Sequence, residues 1–176
     1  MDDWKSTVWQ EKARHKPHRY YIRDEIEEII KEENIDRTRF HEFSKFGYED
    51  IIRKFYYNFH DYKNFTPSRI SLYYNFMHLR DNLECHYIDC FFRTDNWVEY
   101  METVKAEISH ITEKMYLILE QGWVYEGYVK EIFDVLIETD CGLTDCYIVS
   151  SKFDWFIAIS YIEDNATMYK KRTSKM

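Results

Sequence analysis

The segment that decides the fold runs Met115-Tyr116-Leu117-Ile118-Leu119, Gly122, Tyr125 to Glu138, Cys146-Tyr147-Ile148-Val149-Ser150 and Trp155 to Tyr161. Met115 to Leu119 is an uninterrupted apolar run, which reads as a buried strand. Gly122 marks a turn. Tyr125, Tyr128, Val129, Ile132, Phe133, Leu136 and Ile137 recur at helical spacing. Lys130, Glu131, Asp134 and Glu138 fall on the other side, so the stretch reads as an amphipathic helix. Gly142 lies in the loop after it. The runs 146–150 and 155–161 are rich in β-branched and aromatic residues and flank Ser151-Lys152-Phe153-Asp154, the pattern of an antiparallel hairpin. A strand–helix–strand–strand order with a right-handed crossover lays the first two strands parallel. The expected class is α+β, with N-terminal helices packed on a small mixed β-sheet.

Working towards the N-terminus, Ile22, Ile26, Ile29 and Ile30 share one face of a helix spanning Tyr20 to Glu33, which Asn34 can end. Asp36 offers an N-cap for a short helix with Phe40 and Phe43 on one side. Gly47 breaks that pattern. Tyr48, Ile51, Ile52, Phe55, Tyr56 and Phe59 then make a strong amphipathic stripe that stops before Pro67. Residues 69–92 are ambiguous: Ile70, Leu72 and Tyr74 alternate like a strand, while Tyr73, Phe76, Met77 and Leu79 also suit a helix. Thr94 or Asp95 can cap the next helix, along which Trp97, Met101, Val104 and Ile108 line up.

A length of 176 residues suits one domain with a sizeable core, and 45% hydrophobic content excludes wholesale disorder. Four glycines and two prolines favour long regular elements. There is no apolar run long enough for a membrane span, and Met1 to Lys5 lacks the apolar stretch of a signal peptide. The expected location is cytoplasmic. The net charge of −8 is uneven: residues 1–23 carry +3, residues 165–176 carry +4 and the body between them −15. The expected organisation is a flexible basic arm at 1–19, a single α+β domain at 20–164 and a basic tail at 165–176.

Two stretches resemble a known pattern. One is Trp123-Val124-Tyr125-Glu126-Gly127 followed by Lys130 and Ile132. The other is Tyr147-Ile148-Val149-Ser150-Ser151-Lys152-Phe153-Asp154-Trp155. Together they resemble the C-terminal signature of a family of small bacterial proteins of unknown function, over about residues 115–164. Ser151 stands where that family usually has Lys, and Cys146 where it has Tyr. The chain reads Ser160-Tyr161-Ile162-Glu163-Asp164 where the family often has Glu-Asn-His-His. The resemblance implies a similar C-terminal fold and a bacterial or phage origin, and carries no activity. By analogy, small acidic proteins of this kind are similar to toxin-immunity proteins.

No motif points to catalysis. Cys85-x4-Cys90 and Cys141-x4-Cys146 repeat one spacing, with His86 adjacent, but that spacing is at the edge of the zinc-ligand range. Free thiols are expected, with no metal and no cofactor. The histidines are scattered, and there is neither a Gly-x-Ser-x-Gly turn nor a glycine-rich phosphate loop. Glu126 is expected to open a helix and Asp154 to brace the hairpin turn, structural roles in both cases. The arm mixes Trp4, Trp9, Tyr20 and Tyr21 with cations, but the acidic body makes nucleic acid an unlikely partner.

The acidic exterior and the surplus of tyrosines instead suggest a protein-binding module. In its sharpest form this is an immunity or inhibitor protein covering a basic toxin. The candidate contacts are Glu27, Glu28, Glu32, Glu131, Asp134, Glu138, Tyr57 and Tyr62. The alternatives are an enzyme with a site assembled from dispersed residues, and a phage-type acidic inhibitor mimicking DNA. A homodimer through a sheet edge stays open.

Overall fold

The computed structural model describes residues 22–43, 47–59, 85–119, 123–139, 145–160 and 164–172. Their helices are α1 (Ile22–Glu32), α2 (Tyr48–Phe59), α3 (Trp97–Ile108) and α4 (Val129–Glu138). Their strands are β1 (Phe40–Glu42), β2 (Cys85–Phe92), β3 (Met115–Leu119), β4 (Val124–Gly127), β5 (Asp145–Ser150), β6 (Trp155–Ser160) and β7 (Asn165–Lys171). The strands form one sheet in the order β1-β4-β3-β5-β6-β7-β2. The class is α+β, as expected, but every neighbouring pair is antiparallel. The sheet is therefore not mixed.

One segment accounts for that difference. Tyr125 and Glu126, expected in a helix, lie in β4, and the helix starts only at Val129. Tyr125 pairs with Leu117 on one side and with Glu42 on the other, so its backbone is committed to the sheet. The extra strand reverses the chain once more before α4, and β5 then returns antiparallel to β3. The helical spacing of Tyr125 with Tyr128 and Val129 is a coincidence across a strand–helix junction.

Both faces of the central strands are covered, which is why their sequences are almost continuously apolar. α1, α3 and α4 pack on one face, over Leu117, Leu119, Tyr125, Ile148, Ile157 and Ile159. α2 packs on the other, over Ile118, Val124, Tyr147, Val149 and Phe156. All six members of the α2 stripe are buried, and Phe55 and Phe59 meet the Phe156 ring at 5.0 and 4.7 Å. In α1, Ile22, Ile26, Ile29 and Ile30 are buried as their spacing predicts. Asn34 ends that helix at a φ of 50°, the left-handed conformation asparagine tolerates. The amide of Ile35 then donates to the carbonyl of Ile30.

Asp36 does not start a helix. Its Oδ1 accepts from both the amide and the hydroxyl of Thr38, closing a single turn that delivers Phe40 to β1. Stacking of Phe40 on Tyr125, with ring centroids 5.1 Å apart, wins over local helix preference. The cap of α3 is Asn96, whose Oδ1 accepts from the amide of Glu99, rather than Thr94 or Asp95. Residues 165–171, expected in a basic tail, form β7. Ala166 and Thr167 are buried there, and the lysines come only at the end. Strand β2 resolves the ambiguity of residues 85–92. The arm 1–19 and residues 69–84 lie outside the described residues.

Among the described residues β2 is a long sheet edge, and it is guarded. Its register slips at a bulge between Tyr87 and Asp89, and the Asp89 carboxylate takes the amide of Cys90 at 2.7 Å. Both devices oppose strand addition. The opposite edge, β1, is only three residues long.

Gly127 sets how closely β1 approaches β4. A Cβ there would stand 2.5 Å from Phe40 Cδ2 and 3.0 Å from the Arg39 carbonyl oxygen. Gly127→Ala should lower stability by about 1–3 kcal/mol, the usual cost of overpacking, read from the urea midpoint. An unchanged midpoint would show that β1 is free to shift.

Candidate functional site

The segment around β4 is the meeting point of α1, β1 and the sheet. Arg23, at the start of α1, gives a forked pair of hydrogen bonds to Glu42 on β1, Nε to Oε1 at 3.1 Å and Nη2 to Oε2 at 2.7 Å. Its guanidinium lies 5.2 Å from the Trp123 ring centroid. The Tyr125 hydroxyl donates to Glu27 at 2.9 Å, and Arg37 grips the same carboxylate at 2.8 Å. Glu126 lies between His41 and Lys114, at 3.6 and 3.9 Å. Tyr128 receives Arg39 over its ring at 4.5 Å. Arg39 also binds Glu131, which is buried. Trp123, Tyr125, Glu126 and Gly127 thus clamp α1 and β1 onto the sheet. Glu126 does not open a helix; it faces His41 and Lys114 from two neighbouring segments.

Burial pushes the Glu27 carboxyl up, but the bonds from Arg37 and Tyr125 and the charges of Arg37 and Arg23 outweigh it and leave it below its ordinary value. The Tyr125 phenol is pushed far up by burial and then by the charges of Glu27 and Glu42. It therefore stays a hydrogen-bond donor. The hydrogen bond to Glu42 leads the upward shift of Arg23, which keeps it charged.

The turn between β5 and β6 has a similar role. The Ser150 hydroxyl bonds the Asp154 carboxylate and accepts the Asp154 amide at 3.1 Å. Phe153 takes a φ of 54°, which turns its ring into the core against Tyr116 at 5.6 Å. Beside this turn is a depression of about 170 Å³ lined by His110, Glu113, Lys114, Lys152, Asp154 and Trp155 among others. Its charged groups are tied to one another or to neighbours, as in the Lys152–Glu113 pair.

The candidate partner contacts divide. Glu27 and Glu131 are committed to Arg37 and Arg39. Glu28 and Glu32 are exposed on α1. Tyr57 is 68% exposed, but α2 places it on the opposite face of the sheet. Tyr62 lies outside the described residues. Glu131, Asp134 and Glu138 come together in a groove of about 420 Å³ between the end of α1 and α4. Glu33 and Asp36 join them, and Ile35 and Ile137 add an apolar lining. Five carboxylates share that lining with one lysine, Lys130, which pairs with Asp134. Sequence reading does not single out Glu33, Ile35 and Asp36 as site residues: Glu33 falls at the end of one expected helix, Asp36 at the cap of another, and Ile35 between them.

Cys85, Cys90 and Cys146 are free thiols, and Cys141 lies outside the described residues. Cys146 is fully buried under the α1, α3 and α4 face, whereas Cys85 packs on the α2 face. Burial pushes the Cys146 thiol far up and the Cys85 thiol up to about 11. Both are poor nucleophiles and poor metal ligands at neutral pH. Among the described residues no group of three His, Cys, Asp or Glu could hold a metal ion, and no helix is long and apolar enough to cross a membrane.

The clamp has an acid signature. A carboxyl held below its unfolded value of 4.5 stabilises the fold above that pH, and its contribution is lost as the pH falls through the lower folded value. Glu27→Gln should therefore flatten the acid limb of a stability-against-pH curve while lowering stability at pH 7. Parallel curves for the two proteins would exclude this role for Glu27.

No curated protein and no solved structure matches the chain. A family model does match, across residues 18–176, and so covers β1, the clamp and β7 together. The chain belongs to DUF6756, a family of unknown function.

Proposed function

We propose that this chain is a non-enzymatic protein-binding module whose acidic groove between α1 and α4 takes a basic polypeptide segment. In the sharpest form of this reading it is an immunity or inhibitor protein that covers a basic toxin. The observation that carries the reading is the lining of the groove: Glu33, Asp36, Glu131, Asp134 and Glu138 around Ile35 and Ile137, with Lys130 as the one cation. Carboxylates there would steer and orient a cationic partner, and the isoleucines would accept the aliphatic stem of a lysine or arginine. Glu33, Asp36 and Glu138 are exposed, and Asp36 is already bonded to Thr38, so Glu33 and Glu138 are the groups best placed for a partner. A fold whose residues 123–127 are spent on internal clamping leaves recognition to such a surface.

The test uses the purified chain as bait in lysate of its native host, then reconstitution with the captured protein. The reading predicts a basic partner whose affinity falls steeply with salt. Glu33→Lys combined with Glu138→Lys should weaken it by about tenfold or more without changing the melting midpoint. A partner indifferent to both salt and these substitutions would contradict the groove. If the partner is a toxin, growth arrest on its expression should be relieved by the wild-type chain and not by the double variant.

A further inference from the structure

Cations and exposed tyrosines gather at the end of the molecule where α2, β7 and β2 meet, on a chain of net charge −8, and the Tyr87 ring stands edge-on to Tyr169 there. Tyr57 is 68% and Tyr87 62% exposed. Lys171 Nζ reaches the Asn58 side chain, which sets the end of β7 against the last turn of α2. Asn58 in turn donates to the Lys54 carbonyl, so Lys54 lies one turn back on the same helical face, with Tyr57 beside Asn58. Across the ladder Cys85 faces Lys171 and Tyr87 faces Tyr169, and the charge of Arg172 reaches the Cys85 thiol. Lys54, Lys171 and Arg172 are all exposed. The acids of α2, Glu49 and Asp50, are confined to its first turn at the other end. On β2, Asp89 bonds its neighbour's amide.

We propose that this ledge binds single-stranded nucleic acid, with phosphates on Lys54, Lys171 and Arg172 and bases stacked on Tyr57 and Tyr87. Exposed rings set among cations match the alternation of base and phosphate in a flexible strand. An acidic peptide is the other anionic partner to weigh, and its usual route onto a sheet edge is strand addition. The bulge and Asp89 obstruct that route on β2. A duplex would bring a broad, rigid field of phosphates against an acidic body. The ledge lies on the α2 side of the sheet, away from the acidic groove, so it stands or falls independently of the protein-binding reading.

The test is fluorescence anisotropy of the full chain with fluorescein-labelled oligothymidylate and oligouridylate of about 12 nucleotides, at about 50 and 200 mM salt. Saturable binding that weakens with salt is expected. Tyr57→Ala with Tyr87→Ala should weaken it about tenfold and leave the salt slope unchanged, while Tyr87→Phe retains binding. Lys171→Glu with Arg172→Glu should weaken it at least as much and reduce the salt slope. No anisotropy change overturns the proposal. So does binding that ignores both variant pairs. Equal competition by polyglutamate, with the tyrosine variants binding like wild type, overturns it in favour of an acidic protein.

Discussion

The close approach of β1 to β4 at Gly127 is the constraint on which the rest of the structure leans. With only hydrogen on that Cα, the Phe40 ring can lie against the strand and stack on Tyr125. Phe40 in place brings Glu42 to Arg23 and Arg39 to Glu131. Those pairs, with Glu27 between Arg37 and Tyr125, fix α1 and α4 over the sheet. Partly buried, mutually satisfied charges of this kind add less net energy than apolar packing, but a misplaced partner would leave an ion unpaired. Their effect is to select one docking of α1 and β1 over its neighbours.

The segments 123–127 and 147–155 therefore have a physical role that motif reading alone does not supply. Trp123 faces an arginine, Tyr125 donates to a carboxylate, Glu126 sits between His41 and Lys114, and Gly127 admits the edge strand. Ser150, Phe153 and Asp154 shape a turn. Each of these residues has a packing or pairing role inside the fold. The surface is polarised, with an acidic groove beside α4 on one side of the sheet and a basic, tyrosine-bearing ledge beside α2 on the other.

Much of the fold was legible in the sequence. The stripes of α1, α2 and α3 were readable because each buries residues at one clean period, and the strands β3, β5 and β6 because, covered on both faces, they are short apolar runs bounded by turns. β4 was not, since Tyr125 continues the spacing of the helix behind it and only pairing on both sides reveals a strand. β1 was hidden because Phe40 and Phe43 also fit a helix, and its three residues are too few to show alternation. β7 was masked by its lysines, which outweigh Ala166 and Met168 in a reading based on charge. The candidate site was half legible: Asp134 and Glu138 were recognised from the outer face of α4. Glu33 and Asp36 reach the same groove through the turn between α1 and β1, which no periodicity encodes. The commitments of Glu27 and Glu131 to arginines distant in sequence were equally invisible.

Hydrogen exchange followed residue by residue as the pH is lowered tests the central claim most directly. If the charged clamp holds α1 and β1 on the sheet, the amide of Phe43, which bonds the Val124 carbonyl, and the amides of α1 should lose protection together. They should do so at a pH where β3 and β5 are still protected. Protection of α1 and β1 that tracks the central strands through the whole acid range would contradict the claim.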